Sequence, residues 1–484
     1  MKNSIKLLFL ASVFLMACQP TEVVFEEALC IENISIIDPE KGLIKNQTVI
    51  IRAGKIHKIA SSDELHLAPD NEIIDGTDKF IIPGLWDTHV HFAYIEELAP
   101  RMLDLFIAYG VTSVRDIGGE IGFVKKWKER ALSNPTAAPR VMIAGPLIDG
   151  MPNVYDGSDV WRPPLSVGVE SVEEVINLVN ELDSLGVDML KAYEMLTPDQ
   201  FVAITKLGKE KGLKVTGHVP LSMDAISASN AGLNSIEHLK NLELSCASNA
   251  DELLEERKRL LASGKNDRGG VLRSRIHRAQ QQIAIDNYDE YKAQEILDVL
   301  AQNQTWQIPT LAINTGSTKR FFATAEWKES YKYLPDSIEQ QWRKNVETMM
   351  EREVSEFSQR FAKWKLDMVN KIHQAGIDIM AGTDCPILYL TPGLSLHLEL
   401  ALLVESGLSP LDAIKTATLN PARYFNLENE LGSIRENMWA DLVILDANPL
   451  ENINNTKCID AVLKQGKYFD RNELDEILER LNNQ

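Results

Sequence analysis

Between residues 85 and 383 the chain repeats one pattern: a short apolar run, a polar break, then a stretch of helical character. The apolar runs are 85–92, 111–117, 141–145, 187–193, 213–219, 235–239, 306–313 and 377–383. Near-continuous apolar runs of this length read as parallel strands covered on both faces, and parallel neighbours need a crossover helix between them. Strand–helix alternation repeated eight times predicts an α/β fold, a (β/α)8 TIM-type barrel at 83–427, with its chemistry at the C-terminal strand ends. Two stretches exceed ordinary loop length, 245–304 and 314–374, and both read as helical insertions beside the barrel mouth. In the second, Trp342, Val346, Met349, Phe357, Phe361, Trp364, Met368 and Ile372 recur at steps of three, four or their sums. That periodicity predicts one long amphipathic helix whose aromatic stripe is packing.

The chain on either side of the barrel has a different texture. Residues 28–82 read as short β-rich runs cut by Gly, Pro and Asp, and 428–470 has the same character. One small β-sandwich domain built from both chain ends accounts for the likeness, with a helix closing the chain at 471–484. Before it, Lys2 and Lys6 precede the apolar run 7–16, then Leu15-Met16-Ala17-Cys18. This is a signal segment, too short for the ~20 apolar residues that span a bilayer. It resembles a bacterial lipoprotein signal (1–17), cleaved before a lipidated Cys18 and followed by a linker to residue 27. An ordinary signal peptide with an incidental cysteine is the alternative. Both predict export, and the first predicts a lipid anchor on the periplasmic or surface side of a membrane.

A net charge of −20 argues against nucleic acid or an anionic lipid surface as partner. Beyond Cys18 stand Cys30, Cys246, Cys385 and Cys458, too scattered for a thiolate zinc site, and their pairing stays open.

The polar residues at the strand ends carry the functional reading. His89 and His91 close the first strand, and side chains two apart on a strand point the same way, so both imidazoles can meet one metal ion. Taken alone such a pair also fits a solvated strand face. Lys191 lies on the fourth strand, His218 ends the fifth, His238 the sixth and Asp384 the eighth. Four imidazoles and a carboxylate at one face are nitrogen and oxygen donors suited to zinc or a similar divalent ion. Lys191 reads alternatively as a barrel lysine paired with an acid such as Glu194. Arg115, Tyr193 and His397 are candidate substrate contacts: Arg115 could grip a carboxylate through two parallel bonds or pair with Asp116 or another acid. His397 could face the site or cap a helix. Cys385 reads as structural.

With Pro83-Gly84-Leu85-Trp86-Asp87-Thr88-His89-Val90-His91, Gly110-Val111-Thr112-Ser113-Val114-Arg115-Asp116, Ala381-Gly382-Thr383-Asp384, Leu396-His397-Leu398-Glu399-Leu400, Asn420-Pro421-Ala422 and Ala440-Asp441-Leu442-Val443, the chain resembles the amidohydrolase superfamily over nearly its whole mature length. It is closest to the imidazolonepropionase-related branch that holds metal-dependent Xaa-Pro dipeptidases (prolidases). The resemblance implies two divalent ions, most readily Zn2+. His89, His91 and Asp384 would hold the first, and His218 and His238 the second. Lys191, N6-carboxylated by CO2, would bridge them; a bare ammonium has no lone pair for a metal.

The same resemblance implies hydrolysis of an amide (C–N) bond of a small substrate, a dipeptide of Xaa-Pro type or an N-acyl amino acid. A metal-bridging hydroxide would attack while Asp384 shuttles the proton. Hydrolysis of a cyclic amide, lactone or organophosphate on the same centre is the enzymatic alternative. A non-catalytic metal- or peptide-binding lipoprotein is another, and a homo-oligomer is compatible with either. Two departures bear on substrate. Val219-Pro220 follow His218 where some dipeptidase relatives carry a tyrosine, and Gly145-Pro146-Leu147-Ile148-Asp149-Gly150-Met151-Pro152 lacks the Gly-Gly-His run of many relatives.

Overall fold

The structure is a computed structural model that describes residues 24–68, 70–158 and 161–483. Cys18 and its signal segment lie outside the described residues. Among the described residues, seventeen strands fall into three sheets. Early and late segments of the chain meet in a mixed sheet. It joins β1 (Ala28–Asp38), β2 (Gly42–Arg52), β3 (Lys55–Ser61), β4 (Glu72–Asp75) and β5 (Phe80–Pro83) to three late strands, Leu442–Leu445, Ile459–Lys464 and Lys467–Phe469. The hydrogen bonds define one eight-stranded sheet here, not two facing ones.

Alternation along these strands divides their side chains between two cores. Ile81, Leu442, Ile444 and Leu463 pack with Ile31, Ile34, Ile36, Val49 and Ile51 from the N-terminal strands. Ile82, Val443, Leu445 and Val462 turn the other way into the main core. No strand forms at Gly432-Ser433-Ile434, because Ser433 Oγ and the Ile434 amide are both bonded to the Asp38 carboxylate.

The middle of the chain supplies the parallel strands. β6 (Leu85–Val90), β7 (Val111–Asp116) and β8 (Arg140–Ile143) form a three-stranded sheet. β9 (Leu147–Gly150), β10 (Ser166–Val169), β11 (Met189–Ala192), β12 (Lys214–Gly217), β13 (Ser235–Glu237) and β14 (Trp306–Ile308) form a six-stranded one in the order β10-β9-β11-β12-β13-β14. Every residue of β6 and β7 is buried, the condition of strands covered on both faces. The Asp188 amide donates to Ile143 O at 2.8 Å and so links the two sheets.

The eighth expected strand is not regular. Residues 377–385 make only isolated parallel bridges, Gln307 with Ile379 and Val90 with Cys385, so these sheets do not form one continuous barrel. The reason lies in local geometry. Asp384 has φ +69°, which bends the chain out of extended conformation, and Gly382 lies so close to His89 that a Cβ there would meet the His89 Cβ at 2.7 Å. The segment is instead pinned by Asp87, whose carboxylate accepts from the Thr383 amide (3.0 Å) and Thr383 hydroxyl (2.6 Å).

The seventh expected strand is also shorter. It stops at Ile308 before Pro309, and a helix, Leu311–Lys319, begins where the apolar run continues. Glu399 starts that helix by accepting from the Leu311 and Ala312 amides (2.8 and 2.7 Å).

The insertions are helical. The first carries Leu242–Ser245, Ala250–Ser263, Gly269–Asp286 and Glu290–Gln302. In the second, the long helix expected from the aromatic stripe is two helices, Asp336–Met350 and Glu356–Gln374. The break falls in the one gap of the apolar rhythm, between Met349 and Phe357, where Ser355 caps the second helix by accepting from the Ser358 amide. The chain closes with Arg471–Asn482. Among the described residues no helix is long and apolar enough to cross a membrane.

Candidate metal centre

The residues singled out at the strand ends converge. His89, His91, Lys191, Tyr193, His218, His238 and Asp384 line one small cavity of about 30 Å3, with Leu147, Tyr155, Leu165 and Ile387 as its other walls. Ring centroids of His89 and His91 are 5.3 Å apart, of His89 and His238 4.5 Å, and of His218 and His238 5.0 Å. Donor atoms of His89, His91 and Asp384 all lie within 4.8 Å of one another, and all three residues are buried. The positions follow from local geometry. β6 ends at Val90 with His89 and His91 on one side, and β12 ends at Gly217 immediately before His218.

The histidines share an orientation. His89 Nδ1 lies 2.7 Å from Glu237 Oε2, His218 Nδ1 2.7 Å from Glu194 Oε1, His238 Nδ1 2.6 Å from Thr310 Oγ1 and His91 Nδ1 3.4 Å from Gly118 O. An acceptor on Nδ1 fixes the proton there and leaves Nε2 as a bare lone pair aimed at the cavity. The consequence is plain at Asp384. The Nε2 atoms of His89 and His91 each stand 3.1 Å from its Oδ1, yet that oxygen receives no hydrogen bond. Lone pairs this close repel unless a cation sits among them, so the donor set fits a divalent metal.

The electrostatics divide the rings: burial opposes a charge on His91, but the Asp384 carboxylate beside it raises that ring's pKa, whereas the second pair is held neutral. Burial lowers the His218 pKa to about 3, and burial likewise holds His238 well below its usual value, so both rings are neutral, as ligands must be. Burial opposes ionisation of Asp384 too, but His89 and His238 beside it hold its carboxyl well below the ordinary range. Lys191 is 1% exposed, its Nζ has no hydrogen-bond partner, and burial lowers its pKa to about 8.

Of the candidate substrate contacts, Tyr193 lines the cavity, its ring 4.4 Å from His218. Arg115 and His397 do not. Arg115 is fully buried beneath the site, donating to Thr88 O and, at 2.7 Å, to Glu237 Oε1. His397 is instead buried and bonded to Thr456 Oγ1 and Tyr109 O.

Of the supporting groups, Glu237 and Thr310 carry no signal in spacing, while Glu194 and Asp87 are visible in the sequence only as neighbours of the donor residues and not in their supporting roles. Glu237 also accepts from Thr216. Glu194 gathers His218, His277 Nε2 (2.6 Å) and Arg273 (2.8 Å), the last two from the Gly269–Asp286 helix, so the first insertion reaches back to brace a candidate ligand.

Burial would raise the Glu194 pKa, but Arg273, Lys240, His277 and His218 together hold it well below the ordinary value. A carboxyl depressed in the folded state contributes stability above its unfolded pKa of ~4.3, and that contribution is lost as pH falls through the folded value. Glu194→Gln is therefore expected to be less stable than wild type at pH 7, with the gap narrowing towards pH 3. Denaturant unfolding at both pH values measures it, and a gap independent of pH would refute the ion-pair account.

The site is a candidate metal centre on an α/β scaffold, and comparison with known proteins gives the family. The amidohydrolase family model matches residues 80–263 and 332–468, and the chain belongs to that family. Ochratoxinase of Aspergillus niger is 40% identical over 101 residues, 20% of this chain and 20% of that protein, so the match spans about a fifth of the relative's length. Among solved structures, a Xaa-Pro dipeptidase with methionine bound in its active site superposes with TM-score 0.66 at 20% identity, covering 92% of this chain and 100% of that one. The A. niger ochratoxinase structure gives 0.63 at 19%, covering 92% and 96%. At such identity these structures speak for the fold.

Proposed function

We propose that this protein is a binuclear metal-dependent hydrolase that cleaves an amide bond of a small substrate, a dipeptide of Xaa-Pro type or an N-acyl amino acid. The observation that carries the reading is the set of four imidazoles, each tethered at Nδ1, with Nε2 facing Asp384 and Lys191. The backbone bonds through 377–385, Met380 N to Gln307 O and Thr88 N to Ala381 O, support reading the parallel strands as a (β/α)8 ring with this cluster at its C-terminal face.

His89, His91 and Asp384 would hold one ion and His218 and His238 a second, with zinc the natural match to the donor set and a carboxylated Lys191 between them. Near its pKa of about 8 a fraction of Lys191 is the neutral amine, which adds CO2 through Nζ and releases a proton. Ions held there would lower the pKa of a bound water towards ~7 and polarise the scissile carbonyl. Asp384 then accepts the proton of the attacking water and returns it to the departing amine nitrogen. Tyr193, Tyr155 and the apolar walls Leu147, Leu165 and Ile387 orient the substrate and keep bulk water out.

The test is the zinc-loaded protein against Xaa-Pro dipeptides, N-acyl amino acids, lactones and phosphotriesters. At least one of the amides should turn over with kcat/KM of ~10⁴ M⁻¹s⁻¹ or more. Turnover confined to lactones or phosphotriesters would refute the amide reading.

The Leu15-Met16-Ala17-Cys18 segment supports a second element of the proposal, export and lipid anchoring. Cys18→Ser is expected to move the protein from the membrane fraction to the soluble exported fraction. An unchanged distribution, with no acyl mass on the wild-type N-terminal peptide, would remove the anchor from the account.

A further inference from the structure

Ile387, three residues beyond Asp384, faces two cavities. One is the small cavity of the metal centre. The other is about 290 Å3, walled by Tyr94, Ile95, Ile313, Trp342, Leu388 and Tyr389. Its walls come from separate places in the chain that meet at the same end of the parallel strands as the metal centre. Tyr94 and Ile95 follow His91, Ile313 lies in the helix after β14, residues 386–389 follow Asp384, and Trp342 comes from the second insertion.

The inner wall of the pocket is preformed, while Trp161, which also lines it, is 64% exposed. Trp342 is 4% exposed, its ring edge-on to Tyr331 (5.4 Å) and Tyr389 (5.7 Å). Leu388 and Tyr389 are held at φ +52° and +65°, a conformation that persists only where packing enforces it. Trp327 Nε1 donates to Tyr389 O at 2.7 Å and anchors the loop. Among the described residues no charged side chain lines the cavity, and Gln341 and Asn345 are its only amides.

We propose that this cavity is the specificity pocket of the enzyme. It receives an uncharged aromatic or large apolar group carried beside the scissile bond, so the preferred substrates are amides of aromatic character. The proposal rests on reading the adjacent cluster as an amide-cleaving centre. Physical reasons favour an aromatic occupant. The volume suits one ring system and little more. A carboxylate or ammonium would lose its hydration with no counter-charge in the wall. Aromatic walls reward an aromatic guest through offset and edge contacts. A hydrophobic pocket discriminates by ~10–200-fold for a single methylene, so the step from alanyl to phenylalanyl should be worth at least ~10²-fold.

The experiment compares kcat/KM of the zinc-loaded full chain on N-acetyl-phenylalanine, N-acetyl-tryptophan, N-acetyl-alanine, N-acetyl-aspartate and N-acetyl-lysine, and on Phe-Pro, Ala-Pro and Asp-Pro. Aromatic members of each series should exceed the alanyl by at least ~10²-fold, with the charged ones poorest.

Asn345→Asp places a carboxylate in the wall at a half-buried helix position and should cut the aromatic-to-alanyl ratio at least tenfold, with an unchanged circular-dichroism spectrum as the check on folding. Trp342→Ala should do the same. Calorimetric titration of the metal-free protein with N-acetyl-tryptophanamide needs no turnover. It should show saturable binding, weakened at least tenfold in Asn345→Asp. Amide turnover that prefers alanyl or charged members overturns the pocket, as does absence of N-acetyl-tryptophanamide binding. Binding that is weakened by Asn345→Asp, in a protein that cleaves no amide, keeps the pocket's affinity and overturns the amide reading instead.

Discussion

Asp384→Asn should retain its metal and lose ~10²–10⁴-fold in kcat, the loss typical of removing a general acid–base. The asymmetry comes from two roles that one substitution separates. As a donor, Asp384 offers one oxygen among several, and its Oδ1 faces the Nε2 atoms of His89 and His91 at 3.1 Å. Asparagine keeps a carbonyl oxygen in the same place. As a base, Asp384 must accept a proton, which a neutral amide does not do at ordinary pH. Metal content and kcat measured on the same preparation decide the matter. A variant that keeps its metals and turns over at near wild-type rate shows that Asp384 is not the proton carrier.

Glu237→Ala should be the most damaging change outside the donor set. Glu237 is wholly buried, between Arg115 Nη2 and His89 Nδ1, both at 2.7 Å. Removing it leaves the fully buried Arg115 guanidinium without a counter-charge. Breaking one side of a buried ion pair costs about 3–5 kcal/mol. It also frees His89 to rotate or change tautomer, and loss of such a supporting carboxylate typically weakens metal binding ~10–100-fold. Denaturant unfolding and metal competition with a chelator read the two effects separately. A variant of wild-type stability and metal affinity would show that the Arg115–Glu237–His89 chain holds nothing together.

Much of this was legible in the sequence where the relevant rule is local. His89 and His91 are two apart on a strand, so their shared direction follows from alternation alone. His218 and Lys191 stand on short apolar strands whose C-terminal ends are the expected place for chemistry in such folds. The rest depends on contacts between distant segments. Glu237 and His238 are adjacent, and simple alternation would send them to opposite faces. Both reach the site because His238 has φ +60° and turns the chain at the strand end.

Asp384 at φ +69° does the same to the eighth apolar run, which is why a strand legible in composition is present only as bridges. Glu194 was visible as a neighbour of Lys191, but its partners Arg273 and His277 lie 79 and 83 residues away in an insertion whose position no local pattern fixes. Arg115 was legible as a strand-end arginine; that it faces down to Glu237 rather than out to a substrate depends on Thr88 and Glu237 closing around it.

The central claim is that the tethered histidines, Asp384 and Lys191 hold metal, and crystal diffraction at the zinc edge, from protein grown or soaked with zinc, tests it most directly. The account predicts two anomalous peaks in the cavity, one within bonding distance of His89 and His91 Nε2 and of Asp384, the other of His218 and His238 Nε2. Density for a carbamate on Lys191 should lie between them. A map with no anomalous peak among these side chains would contradict the metal centre and the mechanism built on it.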